Sequence, residues 1–220
     1  MSPAASFRSK LQILVTVEPW RLALGLGILF VLVSLAQPFW SISRLEGTDR
    51  ETASFAWTTF SMERYESGVW SETTVLPYAF AQFLFPHVAG VAGNAYVLEG
   101  VFLLVLVAIL GLFLLGYSHK LPTFSLLIVS LIVLASALFA LFYPIVAIPA
   151  AATTDLGTLT VGGFWGSAPQ GSAERSWGPG LGWWLLLVGV VLGLVGTVLP
   201  YLRSIRRMAP SSSVATRPSS

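Results

Sequence analysis

No cysteine occurs anywhere in this chain. That absence removes disulfides, thiolate metal sites, iron–sulfur clusters and thiol nucleophiles in one step. Charge is scarce as well: only 10% of the 220 residues are Asp, Glu, Lys or Arg, against about 25% in a soluble domain. Too few charges remain to cover a water-facing surface. His87 and His119 are the only histidines, and Asn94, the single asparagine, sits in Asn-Ala-Tyr, so no N-glycosylation sequon exists. Neither a Gly-x-Ser-x-Gly elbow nor a His-Glu-x-x-His pair is present, which leaves hydrolase chemistry without a nucleophile or a metal motif. The expectation is a non-enzymatic protein with no catalytic residue, no cofactor, no metal and no nucleic-acid partner.

What is abundant is apolar sequence, 55% of the chain. It gathers into four segments, read as spans at about 22–40, 97–117, 124–143 and 181–201, the third stopping at Pro144 and the fourth at Pro200. Each is close to the ~20 residues that cross a hydrocarbon core. Trp20, Trp40, Tyr96, Tyr117, Tyr143, Trp183, Trp184 and Tyr201 lie near their ends, where amphipathic rings favour the membrane interface. The fold class that follows is an all-α membrane bundle: four transmembrane helices over residues 22–202, with a small extracytoplasmic β-subdomain formed by outer loops 41–96 and 144–180. Residues 1–21 read as a cytoplasmic segment, either an amphipathic helix on the membrane face or a disordered tail. Residues 203–220, rich in Ser and Pro towards their end, read as a disordered cytoplasmic tail.

Orientation follows from the basic residues. Arg8, Lys10, Arg21, Lys120, Arg203, Arg206, Arg207 and Arg217 flank one set of span ends, while Arg44, Arg50, Arg64 and Arg175 occupy the other loops. This split of eight to four among twelve basic residues places both termini in the cytoplasm of a multi-pass cell-membrane protein. Pro77–Ala92 is largely apolar but short, and Gln82, Pro86 and His87 interrupt it. A fifth span there would put Arg203, Arg206 and Arg207 outside, so an interfacial helix on the outer leaflet is expected, with a re-entrant piece as the alternative. Ser34-Leu35-Ala36 could serve as a signal-peptide cleavage site, but the run before it is long for a signal sequence.

Within the outer loops, Thr52–Met62 and Val69–Leu76 read as strands separated by a turn over Glu63–Gly68, and Thr158–Val161 as a third short strand between glycines. Ser176–Gly180 reads as a rigid turn into the last span. Trp40, Trp57 and Trp70 are the expected anchors of this outer subdomain. Glu63, Glu66 and Glu72 could form a cation site, but a solvated acidic loop is the expected reading. No ionisable residue falls in a span interior, and Glu99 lies in the first turn of the second span. That pattern argues against a pump, a coupled transporter or an ion channel. The last span carries a stripe of small residues, Gly182, Gly189, Gly193 and Gly196. With Gly25 and Gly27 of the first span it reads as a helix-packing face, either inside the bundle or between two copies.

The first span ends in Trp40, and Gly68-Val69-Trp70 resembles the Gly-Leu-Trp of the claudin and peripheral-myelin-protein type of tetraspan. The layout is similar too: a long first outer loop with β-structure, an outer helix before the second span, a very short inner loop and a smaller second outer loop. The two cysteines that follow that tryptophan in the family are replaced here by Ser71, Glu72 and Thr73, so the resemblance implies the fold and not paracellular pore formation. Two roles remain: a structural or adhesion-like protein acting through its outer β-subdomain and lateral helix packing, or an accessory subunit of a larger membrane transport or respiratory complex. The expected partners are the lipid bilayer and either a second copy or another membrane protein.

Overall fold

The computed structural model describes residues 18–56 and 59–208. The N-terminal segment to residue 17, Trp57 and the tail from residue 209 lie outside the described residues, and with them the expected amphipathic start, one of the three tryptophan anchors and the disordered tail.

The chain begins with α1 (Pro19–Leu35), whose proline occupies the first turn, where a missing N–H costs nothing. Four strands follow: β1 (Trp40–Glu46), β2 (Asp49–Phe55), β3 (Thr59–Glu66) and β4 (Val69–Pro77). A short helix α2 (Tyr78–Leu84) breaks at Phe85 and leads into α3 (Pro86–Leu114). A tight link through α4 (Tyr117–Lys120) enters α5 (Thr123–Leu156). Then come β5 (Gly166–Gln170), β6 (Ala173–Pro179) and α6 (Leu181–Met208).

Helices α3, α5 and α6 are long and apolar enough to cross a membrane, and α1 is a shorter apolar helix of 17 residues. Large apolar side chains stand exposed on their outer faces, among them Leu104, Phe124 and Val146 at 68%, 71% and 74%. In water that much exposed apolar surface would be untenable, so this is a membrane protein.

The all-α class is overturned. The fold is mixed, 63% helical, with one six-stranded antiparallel sheet and three rather than four helices that meet the length and hydropathy needed to cross. The sheet runs in the order β4-β3-β2-β1-β6-β5, so both loops contribute to a single layer much larger than a small subdomain. The β1–β2, β3–β4 and β5–β6 hairpins turn on glycines in the left-handed region, Gly47 (φ 62°), Gly68 (φ 77°) and Gly171 (φ 66°), a conformation that costs other residues strain. Gly68 was legible as a turn; Gly47 and Gly171, which create β1–β2 and β5–β6, were not.

Several boundaries move as well. The expected interfacial helix over 77–92 is two pieces, α2 and the first turns of α3. The third span does not stop at Pro144, nor the fourth at Pro200: all of Pro144, Pro149 and Pro200 lie inside helices. Proline is tolerated inside a packed membrane helix because neighbouring groups can re-satisfy the carbonyl that its missing N–H leaves free. Thr158–Val161 is not a strand; it is an extended link that buries Leu159 and Val161. Ser176–Pro179 belongs to β6 rather than to a turn.

The glycine stripe packs against α1. A β-carbon on Gly27 would lie 3.0 Å from the Gly193 nitrogen and 3.1 Å from the Gly189 carbonyl oxygen. One on Gly196 would strike Leu24 at 2.5 Å, one on Gly189 would strike Val31 at 2.7 Å, and one on Gly182 would meet the Gln37 carbonyl oxygen at 2.8 Å. Gly193 also faces α3, 2.9 Å from Leu106 by the same measure. Gly25 takes no part, for its added β-carbon would find nothing within 4 Å.

Gly27→Ala should therefore lower the thermal midpoint in detergent, since overpacking costs typically 1–3 kcal/mol. Gly25→Ala should hold the midpoint or raise it, by a gain in stability of up to about 1 kcal/mol through helix propensity. Equal effects of the two variants would mean that the close approach of α1 and α6 does not limit stability.

Candidate functional site

The sheet's register sorts its residues into rows. Nearest the helices stand Trp40, Phe55, Phe60 and Leu76, paired in succession across β1 to β4. The next row pairs Ile42 with Ala53, Ala53 with Met62 and, on the other side, Ile42 with Trp177. Beyond them the polarity changes: Glu72, Arg64, Glu51, Arg44 and Arg175 are successive cross-strand partners over five strands. Opposite charges alternate along that ladder, which favours the pairing, until Arg44 meets Arg175. Arg175 is the strained member. Partial burial first, and then the Arg44 charge, hold its guanidinium below the usual arginine range, while Glu51 opposes them.

The first row seals the sheet onto the helices. Trp40 is 1% exposed and donates its indole N–H to the Phe164 carbonyl at 2.9 Å. Phe55 packs on Trp40, Phe60 and Phe85 with ring centroids 5.9, 5.2 and 5.6 Å away. Tyr96 of α3 donates its hydroxyl to the Gln37 and Phe55 carbonyls at 3.3 Å. Trp70 sits differently from the expectation. It is 57% exposed on β4, the edge strand, where it donates to Thr73 Oγ1 at 3.2 Å. An edge strand has no second neighbour to cover its side chains, and β4 is exposed at every position except Leu76. Val69 and Val75 beside it are 70% and 60% exposed, and Phe83 of α2 is 83% exposed.

Beneath the sheet lies a buried polar pair that the sequence reading misplaced. Glu99 is the fourteenth of 29 residues in α3 rather than part of a first turn, and it is 4% exposed. Ser34, fully buried near the end of α1, hydrogen-bonds its carboxyl group. Ser34 also reaches the Val31 carbonyl at 2.6 Å. Higher up, Asp155 at the end of α5 accepts from the backbone N–H groups of His87 and Val88 at 3.1 and 2.8 Å. Its carboxylate thereby caps α3, satisfying two of the donors a helix start leaves free. His87 Nδ1 stands 2.7 Å from the same acid. The signal for this cap was weak, an acid at the end of one apolar run and Pro86-His87 at the start of another. Glu63, Glu66 and Glu72 lie on β3 and β4, and no group of three His, Cys, Asp or Glu placed to hold a metal occurs among the described residues.

At the opposite end of the bundle, Glu18 gathers three bases. Arg21, His119 and Arg203 approach its carboxylate at 3.4, 3.4 and 3.5 Å. Among the described residues, Arg44, Arg50, Arg64 and Arg175 lie on the sheet, and Arg203, Arg206 and Arg207 lie at the end of α6.

No protein-family model matches the chain, and no curated protein matches it.

Ser34→Ala should destabilise the protein by about 1–3 kcal/mol, because it leaves the buried Glu99 without that partner. Adding Glu99→Leu should recover most of the loss, since removing both members of a buried polar pair is far cheaper than removing one. Denaturant titration in detergent reads both. A double variant no more stable than Ser34→Ala alone would show that Glu99 makes a contribution independent of Ser34.

Proposed function

We propose that this is a non-enzymatic membrane protein whose sheet is an extracytoplasmic interaction module, held on a bundle with both chain ends in the cytoplasm. The observation that carries the reading is β4. It is a nine-residue edge strand, exposed along nearly its whole length, and it presents Val69, Trp70 and Val75 together with a free row of backbone donors and acceptors. Natural sheets blunt such edges unless the edge is used. Exposed aromatic and aliphatic side chains beside an open edge suit a protein partner.

The topology is supported by the basic residues at the sheet-free end and by the single very short link between α3 and α5. In this reading the 17-residue α1 crosses with the other three helices, since about 25 Å of helix lies at the short end of what a thinned or locally matched core requires. The likeness to claudin and peripheral-myelin-protein tetraspans is proposed for layout alone. A four-stranded first loop, a short helix before α3 and a further pair of strands before α6 support it, and the missing cysteines leave the family's activity aside.

Two measurements test this. Cysteines placed singly by Ser67→Cys, Ser172→Cys and Ser212→Cys should label with an impermeant thiol reagent in intact cells at the first two positions only. Labelling at 212, or protection at 67, would reverse the orientation. A photo-cross-linking residue in place of Val75 should give discrete adducts in cells, while the same residue at Gly111 on the lipid side should not. Adducts with a second copy fit the structural or adhesive role, and adducts with fixed other subunits fit the accessory one. No adduct at Val75 would remove the edge strand as the working surface.

A further inference from the structure

The sheet-free end of the bundle holds a small pocket of about 30 Å³ lined by Trp20, Ser118, His119, Arg203, Ser204 and Arg207. Three features set it apart from an ordinary solvated basic patch. First, Ser118 is 7% exposed, and its hydroxyl has no hydrogen-bond partner although it forms part of the wall. A buried hydroxyl is rarely left unsatisfied, because the missing bond costs free energy. Second, Arg207 has no ion-pair partner among the described residues, whereas Arg203 is engaged by Glu18 only at 3.5 Å and keeps other guanidinium donors free. Third, Trp20 in the first turn of α1 lines the pocket, and tryptophan favours the headgroup interface of a membrane.

The pocket therefore gathers donors, of which Arg207 and Ser118 meet no acceptor among the described residues. Glu18 supplies carboxylate to His119 and Arg203 from one side, but it does not satisfy Ser118. The volume admits a single oxygen atom and not a whole tetrahedral anion, so a phosphate would sit at the mouth with one oxygen inside. Basic pockets between membrane helices recognise anionic headgroups in this way, and arginine holds phosphate oxygens through charge-assisted hydrogen bonds.

We propose that this pocket binds the phosphate of an anionic phospholipid, with Arg207 and the Ser118 hydroxyl as its specific contacts and Arg203 as supporting charge. The proposal rests on membrane embedding and not on which end is cytoplasmic, so the labelling experiment above can fail without touching it.

The test uses the full chain in nanodiscs of phosphatidylcholine, titrated with increasing phosphatidylglycerol, with the thermal midpoint as readout. The wild type should gain stability along a saturable curve. Arg207→Gln and Ser118→Ala should each raise the half-saturating phosphatidylglycerol fraction about tenfold, equivalent to about 1.4 kcal/mol. Arg206→Gln removes the same charge from the neighbouring position, which does not line the pocket, and should leave the curve in place. Baseline midpoints in pure phosphatidylcholine show whether each variant is folded. Equal losses for Arg206→Gln and Arg207→Gln would reduce the effect to diffuse surface attraction and overturn the site. An unaltered curve for Ser118→Ala, or no gain for the wild type, would overturn it too. Inorganic phosphate added to phosphatidylcholine discs should give no comparable gain; if it reproduces the full effect, the ligand is a soluble phosphate and the lipid assignment fails.

Discussion

The close antiparallel approach of α1 and α6 is the constraint on which everything else depends. It starts at Gly196 over Leu24, passes through Gly27 against Gly189 and Gly193, and reaches Gly182 over Gln37. There the helices end, but the pairing does not. Gly180 donates to the Phe39 carbonyl at 2.8 Å and Gly182 to the Pro38 carbonyl at 2.8 Å, and β1 then pairs with β6 from Trp40–Pro179 to Leu45–Glu174. Two chain segments far apart in sequence thus remain in contact over their whole length, first as helices and then as strands. The glycines matter because the backbone separation set by the helices is inherited by the strands. If the helices stood apart by the width of a leucine, β6 could not reach β1, and the second loop would leave the sheet.

Once β1 and β6 are fixed, the helices behind them must support the rest of the layer. Both α3, with 29 residues, and α5, with 34, are about 44 and 51 Å long, well beyond a ~30 Å hydrocarbon core. Their surplus lies at the sheet end, where α3 begins and α5 finishes. Asp155 ties the two together there, and Phe85, at the break before α3, packs against Phe55 and Phe60. The aromatic row is consequently held between strands and overhanging helices. The charged ladder begins two rows further out, past the last buried contacts, which is why the same sheet face changes from apolar to ionic along its strands.

The helical content was legible because long apolar runs have one explanation, and the existence of β-structure in the loops was legible from Thr-, Val- and aromatic-rich stretches. The size of the sheet was not. Strands β1 and β2 carry Ser, Arg, Glu and Asp at positions that face charge partners rather than core, so their alternation is ionic and escapes a hydrophobic pattern. The ends of α5 and α6 were misread for a different reason: a proline stops a helix in water, but a packed bundle in lipid re-satisfies its lost bond. Of the expected anchors, Trp40 is the first residue of β1 and not the end of a helix, and it is buried in the row of the sheet nearest the helices. Trp70 was misjudged because sequence alone does not say which strand is the edge. Gly25 was grouped with Gly27, though two residues apart on a helix point to different faces.

Exposed apolar surface means two different things in this molecule. On α3 and α5 it forms a belt around the apolar layer, where lipid covers it and no free energy is lost. On β4 and α2 it lies beyond the helix ends, beside the charged ladder, where water is the alternative. Each apolar Å² left in water forgoes roughly 25 cal/mol, and Val69, Trp70, Val75 and Phe83 together forgo more than a surface strand would ordinarily carry. The interior offered a remedy, since Phe55 and Phe60 fill the row below and polar residues fill the ladder above. Placing Val69, Trp70 and Val75 at an open edge is therefore a feature of the strand's own sequence and not a consequence of the core's needs. That separation between what the fold requires and what β4 displays is the physical ground for the proposal that the sheet edge is the interacting part of the protein and the bundle its mount.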